Sequence, residues 1–226
     1  FSGFEWMLIF GALYYFLFMS PKSILYFLML VFAVVIHEVA HGVSAYYLGD
    51  PTAKQQGRLT LNPLAHIDPL GSVVLPGILL MTGSSFLIGW AKPVPVQPHY
   101  FKDPARGMMW VALAGPISNL IVATGCAVLI RLLWLANIRD LLYGMFVLDV
   151  LVYAIMLNVV LAVFNMIPIP PLDGSRVLAF FLPTSARSVF YQIEPYGTIL
   201  IFLILIFNGF DFLFKWVVPF FISLFL

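Results

Sequence analysis

Long apolar segments dominate this chain, and they constrain its fold more than any other feature. A membrane-spanning helix needs roughly 20 mostly apolar residues, and five stretches reach or approach that length: Phe4–Met19, Ser23–Tyr47, Gly107–Ala136, Leu141–Asn165 and Tyr196–Phe225. Only 9% of the 226 residues are charged, whereas a typical soluble domain is about 25% charged. The sequence therefore predicts an all-α polytopic membrane protein, with residues 1–226 forming one domain in a lipid bilayer.

Charge and cysteine content exclude several other classes of protein. The formal net charge is +1, which offers no basic surface for nucleic acid. Cys126 is the single cysteine, so neither a disulfide framework nor a cysteine-rich zinc site is possible. The sequence has no nucleotide-binding motif, and we expect no nucleotide partner. A signal peptide is the alternative interpretation of Phe4–Met19, but that segment lacks a basic start and is followed almost at once by a second span.

The strongest chemical signal is the motif His37-Glu38-Val39-Ala40-His41 in the second apolar segment. Histidines four residues apart lie on one face of a helix, close enough to bind one metal ion. Glu38 is placed to take a proton from water at that metal. Ionisable groups inside an apolar span cost about 2–3 kcal/mol each, which favours a metal site over a chance pentapeptide. Imidazole and carboxylate ligands indicate zinc.

A catalytic zinc site needs a third protein ligand and an open position. Asp173 is the carboxylate with the most distinctive setting, because Pro168, Pro170 and Pro171 precede it and Gly174 follows. The prolines force an extended backbone, and the glycine permits a sharp turn. A rigid non-helical segment of this kind can direct one carboxylate at a metal. An ordinary Asp-Gly turn is the alternative interpretation.

Taken together, the motifs resemble those of the site-2 protease family of intramembrane zinc metalloproteases. His37-Glu38-x-x-His41 is followed far downstream by Asn165-x-x-Pro-x-Pro-x-Leu-Asp173-Gly174, and Gly115-Pro116-x-x-Asn119 lies between them in the expected order. The resemblance covers residues 23–182. It is closest to the small branch of the family, which has neither a PDZ nor a CBS domain.

The resemblance implies a role for each residue that matches a motif. One zinc ion would be bound by His37, His41 and Asp173, with Glu38 as the general base. Asn165 would steady the oxyanion or the scissile peptide, and Asn119 would hold the substrate or the core helices. Asn62-Pro-Leu-Ala-His66-Ile-Asp68-Pro is typical of the small branch, and it makes His66 and Asp68 candidates for supporting the metal ligands. A solvated loop histidine is the alternative.

The segment Leu70–Trp90 is apolar but is interrupted by glycine and proline. If His41 and Asp173 share a site, the loops at Gly49–Pro69 and Ala91–Arg106 face the same side of the membrane. The segment between these loops must then cross the membrane an even number of times. Because 21 residues cannot cross twice, we expect it to enter the bilayer and return on the same side. Seven basic residues lie on the side of the site and three on the other, so the positive-inside rule predicts a cytoplasmic site. The seven are Lys54, Arg58, Lys92, Lys102, Arg106, Arg176 and Arg187, and the three are Lys22, Arg131 and Arg139.

Two stretches are candidates for short extended strands near the active site. They are Gln55–Leu61 and the run from Trp90 to Val96, where prolines alternate with valines and exclude a helix. The second stretch could present a strand edge to an unwound substrate. A turn anchored at the membrane interface by Trp90 is the alternative.

The predicted function is zinc-dependent hydrolysis of a peptide bond within a transmembrane protein substrate, as in regulated intramembrane proteolysis. A prokaryotic plasma membrane fits the small branch of the family. Two other functions use the same residues: a metal transporter and an inactive pseudoprotease that only binds membrane partners. A transporter predicts broken helices in two related halves, which the sequence lacks. A pseudoprotease does not need Glu38. The sequence does not indicate the oligomeric state.

Overall fold

The computed structural model describes residues 21–74, 77–78, 81–82, 91–136, 144–207 and 209–226. Eight α-helices are present in these residues: α1 Pro21–Tyr47, α2 Thr52–Gln55, α3 Pro104–Leu135, α4 Gly144–Asn165, α5 Asp173–Phe181, α6 Thr184–Ile193, α7 Gly197–Ile206 and α8 Val218–Ser223. Short 3-10 helices lie at Pro63–His66, Pro98–Tyr100 and Glu194–Tyr196, and π-helices at Pro69–Val74 and Leu213–Val217.

Three of these helices, α1, α3 and α4, are long and apolar enough to cross a membrane. The shortest, α4, has 22 residues, which at about 1.5 Å per residue exceeds the roughly 30 Å of the hydrocarbon core. All three lie within a few residues of their predicted positions. The predicted span Phe4–Met19 lies outside the described residues, as does most of Leu70–Trp90, so their topology stays a prediction.

Helix α3 is the central element, because it packs against α1, α4 and α5. It begins where Asp103 accepts a hydrogen bond from the N–H of Arg106, and Pro104 occupies the first helical turn. Farther along, Ala123 and Ala127 pack against Ile155 and Val159 of α4. Small side chains on one helix let the other approach closely, which is how transmembrane helices associate without a hydrophobic driving force.

The fifth predicted span, Tyr196–Phe225, is not one continuous helix in the described residues. Helix α7 ends at Ile206, residues 207, 209 and 210 form turns, and helical structure resumes at residue 211 and continues through the π-helix Leu213–Val217 into α8. The N–H of Gly209 bonds to the carbonyl of Ile204, five residues earlier, rather than four. A wider turn of this kind breaks the α-helical ladder. Apolar composition alone therefore gave too long a helix here.

The structure has no β-strand in the residues that it describes, so the prediction of short strands near the active site was wrong for these residues. Gln55–Leu61 instead begins at the end of α2 and turns at Gly57, where φ is +64°. Within the predicted run from Trp90 to Val96, residues 91–96 are non-helical as predicted, and so is residue 97, but no strand among the described residues pairs with them. Two of them are proline and have no N–H, and other N–H groups of the segment bond elsewhere in the protein, as described below.

Candidate metal centre

Three side chains from two distant parts of the chain meet near the end of α1. His37 and His41 lie one helical turn apart on α1, and Asp173 is the first residue of α5. The Nε2 atoms of the two histidines are 3.0 Å apart. Oδ2 of Asp173 lies 3.1 Å from Nε2 of His37 and 3.3 Å from Nε2 of His41. The structure thus brings together the three side chains that the sequence predicts as metal ligands.

The Nδ1 atoms of both histidines form hydrogen bonds to oxygen atoms, and these bonds determine whether the Nε2 atoms carry a proton. Nδ1 of His41 lies 2.7 Å from the carbonyl oxygen of Val111, and Nδ1 of His37 lies 2.7 Å from Oδ1 of Asn119. These oxygens only accept hydrogen bonds, so each Nδ1 carries the proton. In a neutral imidazole the Nε2 atom then has a free lone pair, and both lone pairs face Asp173.

This arrangement fits a metal cation. Oδ2 of Asp173 is buried without a hydrogen-bond donor, and two nitrogen lone pairs lie beside it. Three electron-rich atoms this close repel one another unless a cation lies between them. Ligands about 2.0 Å from a tetrahedral zinc ion stand about 3.3 Å apart, close to the observed separations. Two imidazoles and a carboxylate are also a usual ligand set for zinc.

Asp173 reaches the histidines because the chain before it bends back tightly. Pro168, Pro170 and Pro171 keep residues 166–172 out of a helix, and α5 begins directly at Asp173. Gly174 lies against the residues that follow α4, where an added Cβ atom would overlap the carbonyl oxygen of Met166. Only glycine permits this approach, which explains the Asp-Gly pair of the motif.

Helix α3 packs against His37 and His41 at Gly115. A Cβ atom on Gly115 would lie 2.5 Å from Nε2 of His41 and 2.6 Å from Cε1 of His37. The helix backbone therefore packs directly on the imidazole rings. Four residues later, the fully buried Asn119 holds Nδ1 of His37. Gly115 and Asn119 of the middle motif both belong to the surroundings of the metal site.

Glu38 lies beside the three predicted ligands and contacts a different part of the chain. Its Oε2 atom accepts a hydrogen bond from the backbone N–H of Val94, at 2.9 Å. Residues 91–97 are held there by further bonds at their two ends. At one end, the N–H of Lys92 donates to the carbonyl of His66, and the carbonyl of Lys92 accepts from Arg58. At the other end, the N–H of Gln97 donates to the carboxylate of Asp50. A non-helical segment is thus fixed across the face of α1 that carries Glu38.

Of the remaining predicted site residues, His66, Asp68 and Asn165 make hydrogen bonds elsewhere in the protein. His66 is buried, and its Nε2 donates to the carbonyl of Thr60. Asp68 caps the following π-helix by accepting from the N–H groups of Leu70 and Gly71. The amide of Asn165 donates to the carbonyl of Leu161 in its own helix. Trp90 lies outside the described residues. The roles predicted for these four residues stay predictions.

Two residues near the site were not predicted from the sequence. Asn158, in the middle of α4, is buried and accepts a hydrogen bond from Asn119 at 2.8 Å. Arg58 is also buried and holds the carbonyl of Lys92 at 2.6 Å. The signal for Asn158 was visible in the sequence, because it is the single amide among the apolar residues 154–164. No pattern in the sequence distinguishes Arg58 from the other loop cations.

Comparisons with known proteins place these motifs in a family. The profile of "Peptidase family M50" matches residues 25–207. "Putative zinc metalloprotease YwhC" of Bacillus subtilis is 40% identical over 188 residues, which are 82% of this chain and 82% of that protein. "Putative zinc metalloprotease Rip2" of Mycolicibacterium smegmatis is 30% identical over 174 residues, 77% of this chain and 63% of that protein. No solved structure matches.

A third relative is also named as a zinc metalloprotease. "Putative zinc metalloprotease MJ0611" of Methanocaldococcus jannaschii is 31% identical over 168 residues, 72% of this chain and 76% of that protein. The family and these names point to zinc as the metal and to a protease as the activity, and the apolar helices indicate a membrane protein. The profile match over most of the chain, with the identity to YwhC, shows that this chain belongs to peptidase family M50, the site-2 protease family.

Proposed function

We propose that this protein is a zinc-dependent intramembrane endopeptidase of the HExxH type. Its substrate is a transmembrane protein, and it hydrolyses a peptide bond within or near a membrane-spanning segment, as in regulated intramembrane proteolysis. The observation that carries the proposal is the convergence of His37, His41 and Asp173 beside Glu38, on a helix long enough to cross a bilayer. A metal site on such a helix can reach a peptide bond that soluble proteases do not reach.

The residues of the chain have distinct tasks in this reaction. Zinc supplies Lewis acidity when bound, which polarises a carbonyl group and favours loss of a proton from water. Glu38 accepts a proton from the attacking water and returns it to the leaving amine. Asn165 donates to the oxygen that gains charge, and such a donor contributes about 3 kcal/mol. This task requires Asn165 to turn away from Leu161, to which it now donates.

A transmembrane substrate must unwind before it can be cut, because its peptide bonds are hidden in helical hydrogen bonding. Residues 91–97 are the best candidate for receiving the unwound backbone, since they are non-helical and lie over Glu38. The excess of basic residues in the loops on the side of the site supports a cytoplasmic orientation, and the resemblance to the small branch of the family supports a prokaryotic plasma membrane. No nucleotide takes part in the reaction, because hydrolysis at zinc needs none.

Cleavage of a model transmembrane substrate by the purified chain tests this proposal. The test compares the wild type with Glu38→Gln, which keeps the size of the side chain but removes its basic oxygen. Glu194→Gln is the matched control, because Glu194 pairs with Arg176 and belongs to no part of the site. We expect zinc-dependent cleavage by the wild type and the control, and a loss in Glu38→Gln. Cleavage by Glu38→Gln at the rate of the wild type would contradict the mechanism.

A further inference from the structure

Asn158 is a buried amide in the middle of α4, within a stretch, residues 154–164, whose other side chains are all apolar. It also borders a cavity of about 180 Å³ between α1, α3 and α4, with walls that are apolar apart from Asn158 itself. A polar side chain in such a place costs free energy unless it is hydrogen-bonded. The two hydrogen bonds of Asn158 fix its orientation, and through Asn119 they begin a chain of amides that ends at His37.

The first bond of this chain has only one possible direction. Nδ2 of Asn158 lies 2.9 Å from the carbonyl oxygen of Ala154, which can only accept. The NH2 group of Asn158 must therefore face Ala154, and its Oδ1 faces the other way. That oxygen lies 2.8 Å from Nδ2 of Asn119. Asn119 must in turn present its own NH2 group to Asn158.

The orientation of Asn119 then determines the proton position on His37. The NH2 group of Asn119 also faces the carbonyl of Ala33, at 3.3 Å. Its Oδ1 is left to accept from Nδ1 of His37, at 2.7 Å. If Asn119 turned over, its NH2 group would face Nδ1, and the proton of the neutral ring would move to Nε2. A protonated Nε2 has no lone pair for a metal.

We propose that Asn158 is a positioning residue for the metal site: through Asn119 it fixes the tautomer of His37 that can bind zinc. The proposal rests on the zinc site of the proposed function and assigns a task to a residue that touches neither metal nor substrate. The partners of metal-binding histidines typically change metal affinity by 10- to 100-fold when they are lost. Asn158 acts one step farther away, so we expect the lower end of that range.

The experiment measures zinc affinity of the full chain in detergent, after metal removal, by competition with a chromophoric chelator. Asn158→Leu removes the acceptor and should weaken zinc binding about tenfold. Asn158→Asp should retain the affinity of the wild type, because a carboxyl group buried among apolar residues is protonated, donates its O–H to Ala154 and keeps an oxygen facing Asn119. In the metal-free protein, nitrogen NMR of His37 should show a larger share of the Nε2–H tautomer in Asn158→Leu than in the wild type.

A double-mutant cycle separates this role from general packing. In an Asn119→Ala background, Asn158→Leu should change zinc affinity by less than about twofold, because the two residues act in one chain. Ile155→Ala is the packing control, since Ile155 is also fully buried in α4 but contacts the alanines of α3. It should lower the melting temperature and leave zinc affinity within about twofold of the wild type.

Each outcome decides the proposal. Equal zinc affinity and equal tautomer populations in Asn158→Leu and the wild type would overturn the role of Asn158 alone. A loss of affinity that persists unchanged in the Asn119→Ala background would also overturn it. If the wild type bound no zinc, the proposed function would fail as well. Asn158→Ala replaces Asn158→Leu if the latter does not fold, because it only enlarges the adjoining cavity.

Discussion

The backbone N–H of Val94 donates a hydrogen bond to Oε2 of Glu38 at 2.9 Å, although 56 residues separate the two in sequence. Pro93 and Pro95 restrict the backbone on either side of Val94, so the donor is held in place. A carboxylate has two oxygens, and this bond engages one of them. The bond therefore orients the proposed base and leaves Oε1 to take up a proton.

Replacement of Glu38 should separate the base from the ligands. We expect Glu38→Gln to retain zinc and to cleave substrate at least about a hundredfold more slowly, the low end for loss of a general base. His41→Ala should instead lose both zinc and activity, because two remaining ligands hold the metal poorly. Metal analysis beside a cleavage assay checks this. Loss of zinc in Glu38→Gln would make Glu38 a ligand rather than the base.

The zinc content of two aspartate variants should show which carboxylate binds the metal. Asp173→Ala removes one of the three converging atoms, so we expect near-stoichiometric zinc in the wild type and a sharp fall in the variant. Asp68→Asn is the control, because Asp68 caps a π-helix and lies outside the cluster. Full zinc in Asp173→Ala would remove that residue from the ligand set and return Asp68 to consideration.

An added methyl group on α3 should disturb the metal site directly. The Cβ atom of Gly115→Ala would lie 2.5 Å from Nε2 of His41, so the rings must move and zinc affinity should fall by at least about tenfold. Gly125→Ala is a matched control in the same helix, because nothing lies within 4 Å of its added atom. Zinc affinity of the two variants, measured by chelator competition, tests the packing of α3 on the histidines. Equal affinities would show that the helix can shift without cost.

The stability of the protein should depend on pH through Asp50. Burial raises the pKa of the Asp50 carboxyl, but hydrogen bonds from Thr52 and Gln97 outweigh burial and lower that pKa below its usual value. A lowered pKa contributes stability that is present above the unfolded-state pKa of about 4 and is lost as pH falls through the folded-state pKa.

We therefore expect Asp50→Asn to melt at a lower temperature than the wild type at pH 7, by about 2–4 °C for each kcal/mol lost. The gap should narrow as pH falls below about 4. Melting curves of both proteins from pH 7 to pH 3 check this. A gap that is constant across the range would mean that the ionised carboxylate of Asp50 contributes nothing of its own.

Labelling of single cysteines should test the topology of Leu70–Trp90. Gln56 and Lys102 are exposed on the two loops that flank this segment. In a Cys126→Ser background, cysteines at these two positions should react with an impermeant reagent from the same side of the membrane. Reaction from opposite sides would mean that the segment crosses the membrane an odd number of times.

The sequence predicted which three side chains meet near the end of α1, because the spacing of its motifs carries the geometry. Two histidines four residues apart share a helix face wherever the helix lies. The prolines before Asp173 exclude a helix there, so this residue must reach the histidines on a non-helical segment. The bonds of Glu38 to Val94 and of Asn119 to Asn158 were not predicted. They join residues 56 and 39 positions apart, and no local pattern fixes how distant segments pack.

The errors have the same origin. Apolar composition predicts that Tyr196–Phe225 is buried in lipid, but not where its helical hydrogen bonding changes near Gly209. Likewise, alternating prolines predicted a non-helical segment from Trp90 to Val96, but whether a second strand lies beside it depends on tertiary packing. The local sequence determines the backbone conformation of each segment. Which segments pack against each other depends on the tertiary fold, and no local pattern encodes it.

The backbone of residues 92–97 can offer another chain almost only hydrogen-bond acceptors. Two of its six positions are proline, and the N–H groups of Lys92, Val94 and Gln97 are already bonded within the protein. What it offers to another backbone is carbonyl oxygen. A chain that pairs with it must bring its own donors, as a newly unwound helix does. Two copies of this protein cannot satisfy each other there, so the segment is protected from self-association by its own shortage of hydrogen-bond donors.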